Sequence, residues 1–489
     1  MFSRSLAPLT LTLRLRPHTF PRRWLLAAVC AGALLWLIPA ADGWNPHADR
    51  KNGEHPAHEH AGDAPPAAPP KPGDWEAFVD PEGHLFPSLL LATATLAAPP
   101  ARDNEPPPPP EETPAPRGIS GSQRRRTPGS KAPAPTPTPT PDPGPELLGD
   151  SNGLVGVALV SPADGAHAQV RIKENALMSE TVAEFDLPRK GVVYHLMPKV
   201  DYKYDALNRV HQSHPLNVSV AVQLDGRDAG QRLLTARVHP VSDCPYAYQN
   251  PDDEKDYVDI AWMFAAYVNE DHPAIPKLLS EAQATGIVDG FDAYQANNPG
   301  RVLLQAFAVW EALRQHGIKY SDIGTTTTES DSLYTLHVRF IEETLGESHA
   351  NCVDASVLLA SILRRMGIDT FLVLEPGHMF LGLYLDREGK QTACLETTML
   401  GDPDPLKCAE NRALAKVATA ELRQRKGWRC FNDALDSATK EFNKHRRKFE
   451  KANDPEYEIV DIAGARRQGI APIGYVQPDG TVTSPPAAN

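Results

Sequence analysis

The chain has 489 residues, more than one hydrophobic core usually organises, so two or three folded units joined by linkers are expected. Its formal charge of -13, from 49 basic and 62 acidic residues, excludes the basic footprint of a general nucleic-acid binder. Many of the 48 prolines lie between residues 56 and 145, a stretch that cannot bury enough apolar surface to fold.

In chain order, Arg4, Arg14, Arg16, Arg22 and Arg23 precede an uncharged apolar run from Trp24 to Ala41, close to the length of a membrane-spanning helix. The positive flank belongs in the cytoplasm, which puts the bulk of the chain in the periplasm or outside the cell. Residues 1–23 are therefore read as a basic cytoplasmic N-terminus and 24–41 as a single-pass signal-anchor in the inner membrane. A cleaved signal peptide is the alternative, with Ala40 and Ala41 near the cleavage position but no clean small-x-small site. Residues 42–149 read as a Pro-rich disordered linker, with Pro106 to Pro110 and the alternating Pro/Thr of 135–141 as its clearest runs. Within it, only Leu85 to Ala98 is apolar enough to make a short docking element. Arg124, Arg125 and Arg126 are a solvated charge run, and His55, His58 and His60 lack the matched ligands of a metal site.

From 150 to 245 the pattern becomes short alternating runs, Val155–Val160, Val192–Met197, Val218–Leu224 and Leu234–Val238, which predict a β-sandwich-like domain. Helical spacing begins near Tyr257, with Val258, Trp262, Ala265 and Ala266 on one stripe. A second stripe, Leu303, Ala306, Trp310 and Leu313, ends at Gly317, and its aromatic belongs in the core. A third helix starts at Cys352 and closes at Gly367, its Leu358, Leu359, Ile362, Leu363 and Met366 repeating at three and four. Three strand-like runs follow: Thr370–Leu374, Met379–Leu385 and Thr392–Met399, the last two joined by an Arg387-Glu388-Gly389 loop. The fold class is thus α+β. The catalytic-type domain is placed at 246–410, a helical C-terminal extension at 411–475 with a solvated basic stretch from Lys444 to Lys448, and a disordered tail at 476–489.

Beyond the membrane run, five cysteines remain: Cys244, Cys352, Cys394, Cys408 and Cys430. An odd number leaves at least one unpaired in an oxidising compartment, and Cys408 and Cys430 are candidates to pair after export. Cys352 is the informative one. At a helix start, unpaired N–H groups and the positive dipole end stabilise a thiolate, and the same N–H groups suit an oxyanion. With Asp386 opposite Lys390 across the hairpin, counting back sets Phe380 opposite Glu396 and Thr398 opposite His378. His378 and Glu396 then share a face as diagonal neighbours. Nucleophile, base and orienter are in hand: Cys352, His378 and Glu396.

Asn351-Cys352-Val353-Asp354-Ala355 with its Leu-rich helix, Pro376-Gly377-His378-Met379-Phe380, and Leu395-Glu396-Thr397-Thr398 resemble the core of bacterial transglutaminase-like proteins, a papain-like group of cysteine enzymes. The resemblance covers about residues 330–402. It implies a transglutaminase-like core in which Cys352 forms a thioester with an acyl group, His378 exchanges the proton and Glu396 fixes the imidazole. Members often carry Asp where this chain has Glu396, and a helper Gln expected ahead of Val338-Arg339-Phe340 is replaced by His337. The function expected is hydrolysis of amide bonds in a protein or peptide substrate of the cell envelope. A crosslinking transglutaminase and a non-catalytic envelope scaffold are the alternatives. No Walker, Rossmann or zinc-protease motif is present, so no cofactor and no metal are expected.

Overall fold

The computed structural model describes residues 70–94, 146–250, 256–321, 332–401, 410–450 and 454–473, with two short strands beyond them. The apolar run 24–41, His55, His58 and His60, the arginine triplet and the proline runs lie outside the described residues. Among the described residues no helix is long and apolar enough to cross a membrane.

The first region is built from two sheets. Its elements in chain order are β1 (Trp75–Val79), β2 (His84–Leu85), α1 (Pro87–Thr93), β3 (Glu146–Gly149), β4 (Val155–Val160), β5 (Ala166–Ile172), β6 (Thr181–Leu187), β7 (Val193–Met197), the single turn α2 (Tyr204–Leu207), β8 (His214–Leu224) and β9 (Arg227–Val238). One sheet has the order β1-β4-β7-β3 and the other β2-β9-β8-β5-β6. Period-two patterning explains both. Ala166, Ala168, Val170 and Ile172 of β5 and Val218, Val220 and Val222 of β8 are buried, as are Val155, Val157 and Leu159 of β4 in the other sheet, and all join one hydrophobic core. The β8–β9 hairpin turns on Asp225-Gly226, both at positive φ, the pairing a tight two-residue turn demands. A register shift after Val222 leaves Ala229 outside the ladder, and its carbonyl accepts the Trp75 indole N–H at 2.9 Å.

The expected linker 42–149 is corrected at two places. Trp75–Val79 pairs antiparallel with Val155–Leu159, and Glu146–Gly149 pairs parallel with Tyr194–Met197, so two segments of the 42–149 stretch are strands of one sheet. The average composition of the stretch hides five residues whose partner lies on its far side. Within the run that begins at Leu85, α1 forms and buries Ser88, Leu89, Leu90 and Ala92.

The second region opens with β10 (Asp243–Gln249) and β11 (Tyr257–Asp259). The helix expected from Val258 is corrected here: Tyr257–Asp259 pairs with Ala247–Gln249 as a strand. The Asp259 carboxylate then accepts from the Ala261 N–H at 2.8 Å and starts a 3-10 turn, Ala261–Met263, and the one-turn α3 (Phe264–Tyr267). There follow α4 (Ile275–Ala284), α5 (Pro299–His316), β12 (Lys319–Tyr320), β13 (Leu333–His337), α6 (Ile341–Glu347), β14 (His349–Ala350) and α7 (Cys352–Arg365). α5 closes at Gly317 in the left-handed region and buries Trp310 completely, edge-on to Phe431.

A four-stranded antiparallel sheet follows α7: β15 (Thr370–Glu375), β16 (His378–Tyr384), β17 (Thr392–Leu395) and a late strand, in the order β17-β16-β15-late strand. α8 (Arg412–Ala415), α9 (Ala420–Arg423) and α10 (Lys426–His445) come before that late strand, β18 (Glu458–Asp461), and α11 (Ile462–Arg467) after it. Every residue of β15 is buried because both faces of the sheet are covered. Leu372, Leu374, Leu381, Leu383 and Leu395 face the main core, while Phe371, Val373, Phe380 and Cys394 form a second cluster with Ala438 of α10. In the expected basic face, Lys448 donates to the Tyr457 hydroxyl at 2.7 Å, and His445 turns inward to Glu375. In the expected disordered tail, β19 (Tyr475–Val476) and β20 (Val482–Thr483) form a short antiparallel ladder.

Candidate active site

Cys352 opens α7, and the local chemistry shows why the helix starts there. Asn351 Oδ1 accepts from the Asp354 N–H at 2.9 Å, and the Asp354 carboxylate accepts from the Asn351 N–H at 3.1 Å, a reciprocal cap that satisfies two end donors. Asp354 also receives the Arg339 backbone N–H and guanidinium, both at 2.8 Å. With Asp354 almost fully buried, this pairing offsets the cost of burying its charge. The N-terminus of α7 is therefore held rigid under the thiol.

His378 is the first residue of β16, directly after the Pro376-Gly377 turn and opposite Glu375. The β16–β17 register is Leu381↔Leu395, Gly382↔Cys394 and Tyr384↔Thr392, the alignment anticipated from an Asp386–Lys390 closure. The ladder ends at Leu395, short of the expected Met399. Glu396 caps a 3-10 turn, Thr397–Met399, because its carboxylate accepts the Thr398 N–H at 3.0 Å. That departure from the strand brings Glu396 Oε2 to 2.8 Å from His378 Nε2. Glu396 Oε1 takes the Thr398 hydroxyl at 2.6 Å, so both oxygens are held.

The electrostatics follow from this geometry. Burial works to depress the His378 imidazole, but hydrogen bonds with Cys352 and Glu396 and the attraction of both groups outweigh it, raising the pKa to about 10. Burial likewise pushes the Glu396 carboxyl up, yet His378 and Thr398 hold it below its ordinary value. Nε2 is the ring nitrogen engaged by Glu396. Burial raises the Cys394 thiol to about 12 and lifts that of Cys244 well above its ordinary value. Compared with family models, curated proteins and solved structures, the chain finds no match. The site is therefore read from its own geometry.

Three supporting residues escape sequence reasoning. Thr397 Oγ1 lies 3.0 Å from Ser356 Oγ and 3.2 Å from the Cys352 carbonyl, tying the acid-bearing turn to α7. Thr398 and Arg339 do the same for Glu396 and Asp354. The Glu-Thr-Thr block carried a signal for the first two; nothing local marked Arg339. His337, weighed as a substitute for the helper Gln, lies at the end of β13 with Nδ1 3.6 Å from Asp243. Asp243 also faces His239 at 3.3 Å, and His239 is 2.7 Å from His84. Burial first, then His239 and Arg237, push His84 down to about 4. Cys408 lies outside the described residues, and the Cys430 thiol donates to the Met399 carbonyl at 3.0 Å.

A cavity of about 420 Å³ opens beside the dyad, lined by His378 and Glu396, by Glu375 and Pro376 at the hairpin, by Ser437, Glu441 and His445 of α10, and by Tyr457. Its size suits a side chain or short peptide segment.

Proposed function

We propose that the chain is a membrane-anchored, extracytoplasmic cysteine hydrolase with a transglutaminase-like core, cleaving amide bonds of a protein or peptide through a thioester at Cys352. The observation that carries this reading is the His378–Glu396–Thr398 hydrogen-bond chain, with the Cys352 thiol at a capped helix start and an imidazole raised to about 10. An imidazole of that basicity is an imidazolium at neutral pH and stabilises a thiolate beside it.

Cys352 Sγ attacks the acyl carbon, and its electron pair forms the C–S bond as the carbonyl π pair moves to oxygen. The Asp354 N–H is taken by the cap, so the N–H groups of Cys352 and Val353 are the donors assigned to that oxyanion. His378 gives its proton to the leaving amine as the C–N bond breaks. It then takes a proton from water as the water attacks the thioester; the C–S bond breaks, the acid leaves, and the thiolate–imidazolium pair is restored. Glu396 accepts from Nε2 throughout, which fixes the imidazole.

Release of a fluorogenic amide by the full chain, absent in Cys352→Ser, tests this. Amine incorporation into casein without amide release would move the reading to transamidation. Neither activity, with Cys352 unreactive to iodoacetamide, would leave an envelope scaffold.

A further inference from the structure

The cavity beside the dyad holds a second cluster that the proposed reaction does not use. Glu441 and His445 are four apart on one face of α10, and Glu375 ends β15 directly opposite His378 across the hairpin turn. Their ligating atoms converge: His445 Nδ1 is 2.9 Å from Glu375 Oε1 and 3.4 Å from Glu441 Oε1, and one donor atom from each residue lies within 4.8 Å of the others.

A tetrahedral zinc ion with bonds of about 2.0–2.1 Å separates neighbouring ligand atoms by about 3.3 Å. The two distances to His445 Nδ1 bracket that edge. One imidazole with two carboxylates is a borderline-hard donor set suited to zinc, and three protein ligands leave one position open towards the cavity. The Glu375 side chain is 6% exposed, and its nearest partner is the same imidazole. A buried carboxylate anchors a divalent cation better than a solvated one, because no hydration of the anion has to be given up on binding. Lys444 also donates to Glu441 Oε1, at 2.8 Å, but its side chain is 64% exposed and is free to swing to solvent or to Oε2.

We propose that Glu375, Glu441 and His445 form a zinc site whose occupation shuts down the reactive cysteine by filling the cavity that His378 and Glu396 line. Two elements distant in sequence, a hairpin end and a C-terminal helix, are clamped together by the ion. Binding itself is independent of whether the chain is a hydrolase.

Equilibrium dialysis of zinc against the full chain carrying Cys352→Ser separates this site from a thiolate-bound ion. One equivalent should bind and should raise the unfolding temperature. Adding Glu441→Gln, a near-isosteric change on a partly exposed helix face, should weaken binding at least about tenfold and remove that rise. In the chain with Cys352 intact, zinc should slow iodoacetamide labelling, and Glu441→Gln should relieve the slowing. The proposal is overturned if the Cys352→Ser chain binds no zinc, or if Glu441→Gln and His445→Ala both bind as tightly as their parent. Loss of amide hydrolysis with zinc binding intact would count against the hydrolase reading alone.

Discussion

The two-sheet region and the α7–β17 region are both covered by apolar packing, yet they handle charge in opposite ways. On the outer face of β5 and β6, Arg171 pairs with Glu180 at 2.6 Å and His167 with Asp186 at 3.0 Å, all solvent-exposed. Around α7 and the hairpin, Asp354, Glu375 and Glu396 are each less than a tenth exposed, and each has a fixed partner in Arg339, His445 and His378. Buried charge is expensive and survives only when paired, which is why each of these three carboxylates keeps its partner. The surface pairs cost little and contribute little.

The largest effect should come from the nucleophile. Cys352→Ser should lower amide hydrolysis by at least about three orders of magnitude, as loss of a nucleophile does elsewhere, while leaving the unfolding midpoint almost unchanged. A variant that keeps its rate would break the contrast at its centre. Next, Asp354→Ala strips α7 of its cap and leaves Arg339 without its buried partner. Denaturant unfolding should report a loss of about 3–5 kcal/mol, with a slower labelling rate at Cys352. Retained stability would show that the cap is incidental.

His378 sharpens the comparison through pH. Its folded-state pKa is raised from 6.5 to about 10, so its protonated form is favoured by folding. That contribution is complete below 6.5 and fades as pH rises through about 10. The stability difference between the natural chain and His378→Gln should accordingly narrow between pH 7 and 10.5, and a difference that stays constant would rule out the paired imidazolium. Thr398→Val removes the hydroxyl donor to Glu396 but spares the backbone one. It should cost about tenfold in kcat with little change in KM, the equivalent of one charged hydrogen bond of about 1.5 kcal/mol. The smallest effect belongs to the first region: Arg171→Ala should shift stability by less than about 0.5 kcal/mol.

Much of the site was legible because its signals are local. Asn351 directly before Cys352 is a capping residue by type, so the helix start could be read locally, and the structure adds the return bond from Asp354. The Arg387-Glu388-Gly389 loop sets the hairpin register, and register alone put His378 and Glu396 on one side of the sheet. The last step was not legible, since Glu396 leaves the ladder to reach Nε2 and Thr398 holds it there. In the first region, Trp75–Val79 was hidden because five residues flanked by prolines carry no signal until a partner from across the linker is known. The Tyr257 segment misled because the short apolar pair Tyr257-Val258 fits a helix and a strand alike, and pairing with β10 decided between them.

Taken by itself, the amino-acid sequence determined the elements whose causes lie within a few residues: the helix start at Asn351-Cys352, the meander after it, and the alternation of β5 and β8. Only the tertiary structure decided which distant groups meet, including Thr397 with Ser356, Arg339 with Asp354, and Glu375 with Glu441 and His445. Caps, turns and strand periodicity depend on short-range sterics and hydrogen bonds, whereas these meetings depend on how layers pack over separations that no local pattern records.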